Sequence, residues 1–406
     1  MLLIYHTAIR LYFAVIWIFS FFNKKAKRWI SGRKEQNFMR FEGCTWFHFS
    51  SLGEFEQGRP VLEAIRQKHP ENKIVITFFS PSGYEVRKNT TLADAVYYLP
   101  LDTPRNAREF VDTLQPKLVI FTKYEYWYNF FSEVHRRDIP LYIISGIFRP
   151  GQVFFKWYGG LHRQMLGFVT WFFVQDDNSK QLLKKIGIEN VSVSGDTRFD
   201  RVWENALVPK ELPSIAAFKN GHRVFIAGST WPRDEYLLAE LVTEYPDWKF
   251  IIAPHEIDYD KLDTLMEQLP TECSARYSIL SALNADFSKL RVLVIDNIGM
   301  LSSLYQYGDI AYIGGGFGAG IHNTLEAAAF GLPVIFGPNY TRFKEANDLV
   351  ALRVGFSVTN GEQLSAIMET LVNDEAFYSA ANKKILAYVK EHTGATKAIL
   401  DQVEKS

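Results

Sequence analysis

The chain has 406 residues, of which 47% are hydrophobic and 22% are charged, with 26 Gly and 16 Pro. At roughly 150 residues per domain this length predicts two to three domains, and the composition excludes disordered, collagen-like and disulfide-rich scaffold proteins. Its two cysteines, Cys44 and Cys273, have no Cys-x-x-Cys partner, which excludes a cysteine metal cluster and indicates a reducing compartment. Lys and Arg number 45, as do Asp and Glu, and the net charge of zero argues against a nucleic-acid partner.

The zero net charge conceals a basic amino end. Residues 1–34 carry a charge of +7 and contain no Asp or Glu, so the rest of the chain carries −7. The stretch from Leu2 to Phe22 is almost entirely apolar and, as a helix, would just cross a bilayer core of about 30 Å. Arg10 near its middle would cost about 2.5–3.5 kcal/mol there. We therefore predict a membrane anchor over 1–34 that spans the bilayer or lies in its interface, with the body cytoplasmic. An ordinary buried helix is the alternative.

The chain after residue 40 alternates short β-branched or aromatic runs with helical stretches, which predicts parallel sheets covered on both faces. Runs of the first half lie at 46–49, 74–79, 95–99, 118–121, 141–144, 171–174 and 191–193. A polar, proline-bearing stretch interrupts this rhythm. Runs of the second half then lie at 224–227, 250–253, 292–295, 310–313 and 333–336.

The interruption divides the body into two doubly wound α/β domains. We predict a first domain over 35–205, a linker over 206–221 and a second domain over 222–406. The last helical stretch, 374–404, has no strand after it and is a candidate to cross back over the first domain. Ligands of such sheets bind beyond the carboxyl ends of the strands, so we expect the site in the cleft that the two domains face.

Two acidic loops follow predicted strands of the first domain. The sequence Ser-Ser-Leu-Gly-Glu ends at Glu54, where a general base would sit in this architecture, although Glu54 also suits the positive end of the next helix. The loop 122–127 carries Lys123 and Glu125 at the equivalent place. Glu125 either orients a polar substrate or pairs with Lys123 on the surface, and spacing alone does not decide between these readings.

Two small-residue loops of the second domain suit a phosphate. Ala-Gly-Ser-Thr, ending at Thr230, closes a strand and opens a helix; an ordinary helix cap is the alternative. The glycine-rich segment 314–320 precedes a helix start near Asn323, and its spacing does not fit a dinucleotide site. Glu326, one turn into that helix, could accept ribose hydroxyls. Lys344 could contact a phosphate or merely solvate its helix.

These loops together resemble the family of 3-deoxy-D-manno-octulosonic acid (Kdo) transferases of lipopolysaccharide biosynthesis. The resemblance covers nearly the whole chain and rests on SSLGE, FSPSGYE, TKYEYW, GDTRFD, AGST and GGGFGAGIHNTLEAAAFGLPVIFGP. The last segment alone implies only a GT-B glycosyltransferase. The family implies a GT-B fold and inverting transfer of Kdo from CMP-Kdo to a lipid A precursor, lipid IVA, without a metal ion or other cofactor.

The resemblance also assigns residues by position. Glu54 matches the general base, and the acceptor side comprises Ser51, Gly53, Lys123 and Glu125. The donor side, which would bind CMP-Kdo, comprises Arg198, Ser229, Thr230, Pro254, His255, Gly315, Gly316, His322, Asn323, Glu326 and Lys344.

The chain departs from the family pattern at three places. Lys123 stands where members commonly have an acidic residue two positions before the equivalent of Glu125. Residues 126–128 are Tyr-Trp-Tyr where many have Trp-Pro after that Glu. His255 replaces an expected arginine near the nucleotide. A milder change keeps the charge: Arg198 stands where lysine is usual.

The resulting expectation is an enzyme of the cytoplasmic face of the inner membrane, whose partners are CMP-Kdo, a lipid A precursor and the lipid surface. Two alternatives stay open. One is another GT-B enzyme, a transferase or epimerase that uses a UDP-sugar. The other is a membrane-associated binding module of the same fold that lacks catalysis.

Overall fold

The structure is a computed structural model that describes residues 1–123, 125–283 and 286–405. Two compact units divide the chain: residues 1–200 with 392–405 form the first, and Arg201–Glu391 form the second. Each unit contains one parallel sheet of seven strands with helices packed against it. The prediction of two doubly wound parallel sheets is therefore confirmed.

The first unit is built on a sheet with the strand order β3-β2-β1-β4-β5-β6-β7. Its strands are β1 (Thr45–Phe49), β2 (Ile74–Phe78), β3 (Ala95–Tyr98), β4 (Leu118–Thr122), β5 (Leu141–Gly146), β6 (Trp171–Val174) and β7 (Val191–Val193). Every residue of β1 and β2 is buried, as expected for strands covered by helices on both faces. The chain order reverses between the neighbouring strands β1 and β4, so the loops that follow these two strands flank a topological switch point.

The helices of the first unit alternate with its strands. They are α1 (Leu2–Phe19), α2 (Lys24–Glu35), α3 (Leu52–Lys68), α4 (Pro81–Arg87), α5 (Pro104–Leu114), α6 (Tyr128–Arg136), α7 (Gly160–Gly167) and α8 (Asp177–Lys185). Polar caps explain several starts: the Asp176 carboxylate accepts from the Ser179 N–H at 2.7 Å, and Asn23 accepts from the Lys25 N–H at 2.9 Å. Helix α9 (Thr197–Leu207) begins in the first unit and ends in the second.

The second unit has the strand order β10-β11-β9-β8-β12-β13-β14. Its strands are β8 (Val224–Thr230), β9 (Lys249–Pro254), β10 (Ser274–Arg276), β11 (Val292–Val294), β12 (Ile310–Ile313), β13 (Val334–Phe336) and β14 (Gly355–Ser357). The reversal of chain order here falls between β8 and β12. The loop after β8 and the glycine-rich loop after β12 therefore flank the switch point of this sheet.

The helices of the second unit complete the chain. They are α10 (Pro213–Lys219), α11 (Pro232–Glu244), α12 (Tyr259–Gln268), α13 (Tyr277–Leu283), α14 (Leu301–Leu304), α15 (Leu325–Ala328), α16 (Lys344–Ala351), α17 (Gly361–Asn373) and α18 (Glu375–Glu391). The stretch 206–221, predicted as a linker, contains α10. Ile215 and Phe218 of that helix are fully buried, so this stretch is part of the second unit's core.

The carboxyl end of the chain belongs to the first unit. Helix α19 (Ala395–Val403) packs on α3, and its Ile399 is fully buried there. The Asp200 carboxylate accepts from the Thr396 N–H and hydroxyl, both at 2.7 Å. The chain thus returns to the first unit at residues 392–405, after it has formed the second unit.

Helix α1 lies against the first unit with one face. Ile9 is buried and Tyr5, Phe13 and Ile16 are partly buried, a spacing that marks a single side of a helix. The opposite side exposes large apolar residues. In the described part of the chain, α1 is the one helix that is long and apolar enough to cross a membrane.

Candidate active site and donor site

Glu54 lies at the switch point of the first sheet. It occupies the first turn of α3, directly after β1, and its Oε2 accepts from the Ser50 N–H at 2.6 Å. Burial and, to a lesser extent, the charge of Glu125 raise the pKa of Glu54 to about 7, against the lowering effects of the Ser50 N–H and Lys123. A carboxyl with a pKa near neutrality can take up a proton and release it again at physiological pH.

Glu125 follows β4 and faces the same switch point. The Trp127 Nε1–H donates to its Oε2 at 3.0 Å, and His48 Nε2 lies 3.0 Å from the same oxygen. Its side chain is 15% exposed. The interaction of Glu125 with Glu54 shows that the structure brings the two predicted carboxylates together.

Lys123 also belongs to this cluster. Its backbone is left-handed, with φ 69°, and its N–H donates to the Ile144 carbonyl at 3.0 Å. Its charge lowers the pKa of both Glu54 and Asp196. The Lys123 ammonium therefore interacts electrostatically with Glu54 and Asp196, and its role is not limited to a surface ion pair with Glu125.

The other two predicted acceptor residues border Glu54. Ser51 caps α3 by position but makes no side-chain cap hydrogen bond, so its hydroxyl is not used to start the helix. Gly53 is exposed, and a side chain there would meet only the Ser51 hydroxyl at 3.9 Å. Space alone therefore does not require glycine at position 53.

Arg33 is a member of this site that sequence reasoning counted only as part of the basic segment. Its guanidinium donates to the carbonyls of Leu99 at 2.8 Å and Phe79 at 2.7 Å, and it stacks over the Trp29 ring at 3.7 Å. Burial lowers the pKa of Arg33, against the attraction of Glu125 and nearby tyrosines. It thus supplies a fixed positive charge near Glu125.

Arg198, predicted on the donor side, lies in the first unit. Its Nε and Nη2 both donate to Asp196 Oδ2, at 2.9 and 2.8 Å. Gln57 Nε2 donates to the other oxygen of Asp196 at 2.9 Å. The neighbouring Arg198 lowers the pKa of the buried Asp196 despite the opposing effect of burial. Asp196 thereby fixes the orientation of this guanidinium, a role that the sequence did not indicate.

The loops at the switch point of the second sheet pack too closely for side chains. A Cβ at Gly314 would lie 2.2 Å from the Ser229 carbonyl oxygen, and one at Gly316 would lie 2.6 Å from the Gly337 backbone. Gly315 and Ser229 have positive φ, 90° and 55°. The glycines therefore let the ends of β8, β12 and β13 meet.

Asp234 joins the two loops, and sequence reasoning missed it. Its carboxylate accepts from the N–H groups of Trp231 and Gly315, both at 2.9 Å, and from the Tyr312 hydroxyl at 2.8 Å. Asp234 is fully buried. Loss of these bonds would leave several buried donors without a partner, so Asp234 fixes the shape of the glycine loop.

Trp231, His255 and His322 form an aromatic stack beside this loop. The rings of His255 and His322 stack at 4.1 Å, and the Trp231 Nε1–H donates to His322 Nε2 at 3.1 Å. Burial and the neighbouring His255 lower the pKa of His322 to about 4, so His322 is neutral and accepts at Nε2. The structure thus brings the two predicted histidines together, and it adds Trp231.

A pocket of about 540 Å³ opens between this stack and the glycine loop. Its lining is mostly apolar and includes Trp231, Arg233, Gly315, Phe317 and His322. The Arg233 guanidinium lies 4.8 Å from the centroid of the Phe317 ring. Arg233 and Phe317 were not predicted; a charged residue at the start of the helix after β8 was the available signal.

The remaining donor-side residues divide into two groups. Pro254 ends β9, and the Thr230 hydroxyl next to it donates to the buried Glu235 at 2.9 Å. The Thr230 hydroxyl is thus already used within the unit, which fits a structural role.

The other residues follow the glycine loop. Asn323 donates to Glu326 at 3.0 Å. Lys344 pairs with Asp348 on its own helix at 2.6 Å. Within the described residues no group of three or more His, Cys, Asp or Glu is arranged to hold a metal ion.

Sequence comparison identifies relatives that share most of this chain. Residues 22–201 match the family model described as 3-Deoxy-D-manno-octulosonic-acid transferase (kdotransferase). The 3-deoxy-D-manno-octulosonic acid transferase of Haemophilus influenzae is 28% identical over 88% of this chain and 85% of its own length. That of Chlamydia trachomatis serovar D is 27% identical, over 88% and 84%. A bifunctional glycosyltransferase/methyltransferase of Fusobacterium nucleatum is 27% identical over 87% of this chain, which spans only 57% of that protein.

Solved structures share the fold. The UDP-GlcNAc 2-epimerase from Neisseria meningitidis aligns with a TM-score of 0.61 at 17% identity, over 90% of this chain and all of that one. Anabaena HepE in complex with UDP aligns with a TM-score of 0.56 at 12% identity, over the same shares. The GT-B type of fold predicted from the sequence is confirmed. The resemblance predicted from the sequence is confirmed as well: residues 22–201 match the Kdo transferase family model, and most of the chain is similar to Kdo transferases.

Proposed function

We propose that this protein is a glycosyltransferase that moves Kdo from CMP-Kdo to a lipid A precursor, lipid IVA, with inversion and without a metal ion. The observation that carries the proposal is Glu54, a partly buried carboxyl with a pKa near 7 at the switch point of the first sheet. The similarity to Kdo transferases supports the choice of sugar. The residues around Glu54 support the chemistry.

Glu54 is the general base of the proposed reaction. It accepts the proton of a sugar hydroxyl of the acceptor while that oxygen forms a bond to the anomeric carbon of Kdo. The bond from this carbon to the phosphate oxygen breaks, and CMP leaves with the electron pair. A single displacement of this kind inverts the anomeric centre.

The acceptor side of the proposed site is the Glu54 cluster of the first unit. Lys123 and Arg33 give this cluster two positive charges that interact with its carboxylates. A lipid A precursor is itself anionic, so these cations also suit its phosphates. Glu125 and Ser51 would accept hydrogen bonds from its sugar hydroxyls.

The second unit provides the proposed donor site. The tightly packed loop at Gly315 and Gly316 presents backbone to a phosphate without side chains in the way. The neighbouring pocket, with the rings of Trp231 and His322 in its lining, suits a flat base, and Arg233 supplies a positive charge. These groups would stabilise the departing phosphate without a divalent ion.

Helix α1 would place the protein on the lipid surface that holds the acceptor. One side packs on the first unit through the Tyr5 hydroxyl, which donates to Asp102 at 2.6 Å, and through His6, 3.1 Å from Asn129. A helix docked along its side in this way cannot also cross a bilayer, because Asp102 and Asn129 would enter the hydrocarbon with it. We therefore place α1 in the plane of the interface.

The exposed side of α1 fits this orientation. The apolar residues that are at least half exposed along it are Leu3, Ile4, Leu11, Val15, Ile18 and Phe19. Helix α2 follows with exposed basic residues, Lys24, Lys25, Lys27 and Arg28, which suit anionic headgroups. In the plane of the interface, Arg10 reaches the headgroups as well, so it no longer carries the cost of a charge in the bilayer core. The cytoplasmic face of the inner membrane is the proposed location.

Replacement of Glu54 by Gln tests the base directly. The variant should lose at least about 99% of the transfer rate from CMP-Kdo to lipid IVA while binding of CMP stays within about twofold. Glu56→Gln on the same helix is the matched control, because Glu56 makes only partly exposed pairs with Arg59 and Arg87. More than a tenth of the rate in Glu54→Gln would remove Glu54 as the base.

A UDP-sugar enzyme is the second candidate, and the likeness to UDP-GlcNAc 2-epimerases favours it. Thermal shifts with CMP and UDP separate the two candidates. Stabilisation by CMP at concentrations where UDP has no effect supports CMP-Kdo, and the reverse order supports the UDP-sugar.

A further inference from the structure

His48 is a buried titratable residue to which the proposed reaction assigns no step. It lies in β1, an interior strand of the first sheet between β2 and β4, and its side chain is completely buried. Nε2 lies 3.0 Å from Glu125 Oε2, and Nδ1 lies 2.8 Å from the Thr77 hydroxyl oxygen on β2. The imidazole therefore joins the carboxylate to the interior of the sheet.

The hydrogen bonds around Thr77 fix which nitrogen of His48 carries the proton. The Trp46 Nε1–H donates to the Thr77 oxygen at 2.8 Å. The Thr77 proton has two possible acceptors, His48 Nδ1 at 2.8 Å and the Phe47 carbonyl at 3.3 Å. If Nδ1 carried the proton instead, the lone pair of Nε2 would face the Glu125 carboxylate. The arrangement without this repulsion has Thr77 donating to Nδ1 and the Nε2–H donating to Glu125.

We propose that His48 is a positioning residue for the transfer reaction: as a neutral Nε2–H donor, held by Trp46 and Thr77, it fixes the position of the Glu125 side chain beside Glu54. The inference rests on the proposed function, because it concerns the base of that reaction. Burial lowers the pKa of His48 despite the attraction of Glu125, which agrees with a neutral ring.

The two carboxyls receive different numbers of hydrogen bonds. Glu125 receives two N–H groups at one oxygen, from His48 and Trp127, whereas Glu54 receives the Ser50 N–H. Glu54, whose pKa is raised to about 7, is the group that changes charge near neutral pH. Among the residues that the structure describes, Tyr12, Arg33 and Lys123 are the other charged or titratable groups that interact with this pair.

Two variants of His48 separate positioning from mere packing. Gln at 48 keeps an N–H donor at the Nε2 position and an acceptor for Thr77, whereas Leu keeps only the volume. We expect His48→Leu to lose at least about tenfold in kcat with the KM for CMP-Kdo within about twofold, and His48→Gln to retain at least about a third of kcat. The nearby charge of Glu125 helps to raise the pKa of Glu54, and in His48→Leu this side chain is no longer held in place. The acidic limb of kcat against pH should therefore move to lower pH by about half a unit or more in that variant.

Thr77→Val provides a variant that leaves the imidazole in place. Its loss of the Nδ1 partner should give a shift of the acidic limb in the same direction as His48→Leu. The ¹⁵N spectrum of histidine-labelled protein, with His48 assigned by its absence in His48→Gln, should show the Nε2–H tautomer. A Nδ1–H tautomer, or unchanged kcat and pH profile in both His48→Leu and Thr77→Val, would overturn the inference.

The Glu54→Gln assay distinguishes a failure of the proposed role of His48 from a failure of the proposed base. An inactive Glu54→Gln enzyme with an unaffected His48→Leu enzyme refutes only the role of His48. Full activity of Glu54→Gln refutes the proposed base itself.

Discussion

The Tyr5 hydroxyl donates to the buried Asp102 at 2.6 Å and thereby ties helix α1 to the amino end of α6. Asp102 also accepts from the N–H groups of Asn129 and Phe130, at 3.1 and 3.0 Å. Helix α6 starts just after the loop that carries Glu125 and Trp127. The helix proposed to lie on the membrane is therefore held, through two residues, next to the proposed acceptor site.

Removal of the Tyr5 hydroxyl should loosen α1. In Tyr5→Phe the buried Asp102 loses a short hydrogen bond, at a cost of about 1–3 kcal/mol. Limited proteolysis of the amino end should become several-fold faster in this variant. Tyr158→Phe, at an exposed position, is the control and should be cleaved at the wild-type rate. Equal protection of Tyr5→Phe and wild type would show that the hydroxyl does not hold the helix.

Charges on the exposed side of α1 should weaken membrane binding without unfolding the protein. Leu11 and Ile18 are 61% and 53% exposed, so Glu at both positions adds charge where an in-plane helix meets lipid. In flotation with anionic vesicles, the lipid-bound fraction of the double variant should be at least about tenfold smaller than that of wild type. The reason is that two leucine-sized side chains no longer insert into the lipid. Val86→Glu, an equally exposed position on α4, should float normally. Normal flotation of the double variant would contradict the proposed membrane face.

The glycine loop of the second unit should respond differently at two neighbouring glycines. A Cβ at Gly316 would lie 2.6 Å from the Gly337 backbone, whereas one at Gly318 would meet nothing closer than 3.7 Å. Gly316→Ala should therefore displace the loop and weaken CMP binding by at least about tenfold, and Gly318→Ala should have a much smaller effect. Calorimetric titration with CMP measures both. Similar affinities for the two variants would place the nucleotide elsewhere.

Glu54 should make the protein less stable as the pH rises. The pKa of Glu54 is about 7 in the folded state against 4.5 ordinarily, so the folded state holds this proton more tightly than the unfolded chain does. The unfolding free energy contributed by Glu54 therefore falls as the pH rises from 4.5 through 7. Glu54→Gln removes this dependence and should be more stable than wild type at pH 8, by about 1–2 kcal/mol, with little difference at pH 4.5.

Chemical denaturation at pH 4.5 and pH 8 checks this sign. A midpoint for Glu54→Gln that lies above the wild-type midpoint only at pH 8 agrees with it. A variant that is less stable than wild type at pH 8 would show that the ionised Glu54 is stabilised by its surroundings.

Apolar patterning was sufficient for most of the fold. The runs at 46–49 and 118–121 lie in β1 and β4, because buried parallel strands need continuous apolar residues. Strands β10 (Ser274–Arg276) and β14 (Gly355–Ser357) were not predicted. Each has three residues and mixed polarity, so neither produces a pattern. Helix α10 was hidden in the same way by a polar, proline-bearing stretch.

The sequence predicted only those residues of the candidate site that lie in loops directly after apolar strands. Glu54 and Glu125 were found because both follow apolar strands. Their partners were not: His48 looks like an ordinary strand residue, and it meets Glu125 only through the pairing of β1 with β4, 77 positions later in the chain. Arg33 was assigned to the membrane segment for the same reason. Long-range contacts of this kind arise from sheet order, which a local pattern does not contain.

Transfer itself is the most direct test of the central claim. Purified protein bound to anionic vesicles is incubated with CMP-Kdo and lipid IVA in the presence of EDTA, and the mass of the lipid product is measured by mass spectrometry. We predict a product heavier than lipid IVA by one or more Kdo residues, formed by wild type and Glu56→Gln and absent with Glu54→Gln. Wild-type protein that transfers no Kdo under these conditions, with or without added magnesium, would contradict the assignment.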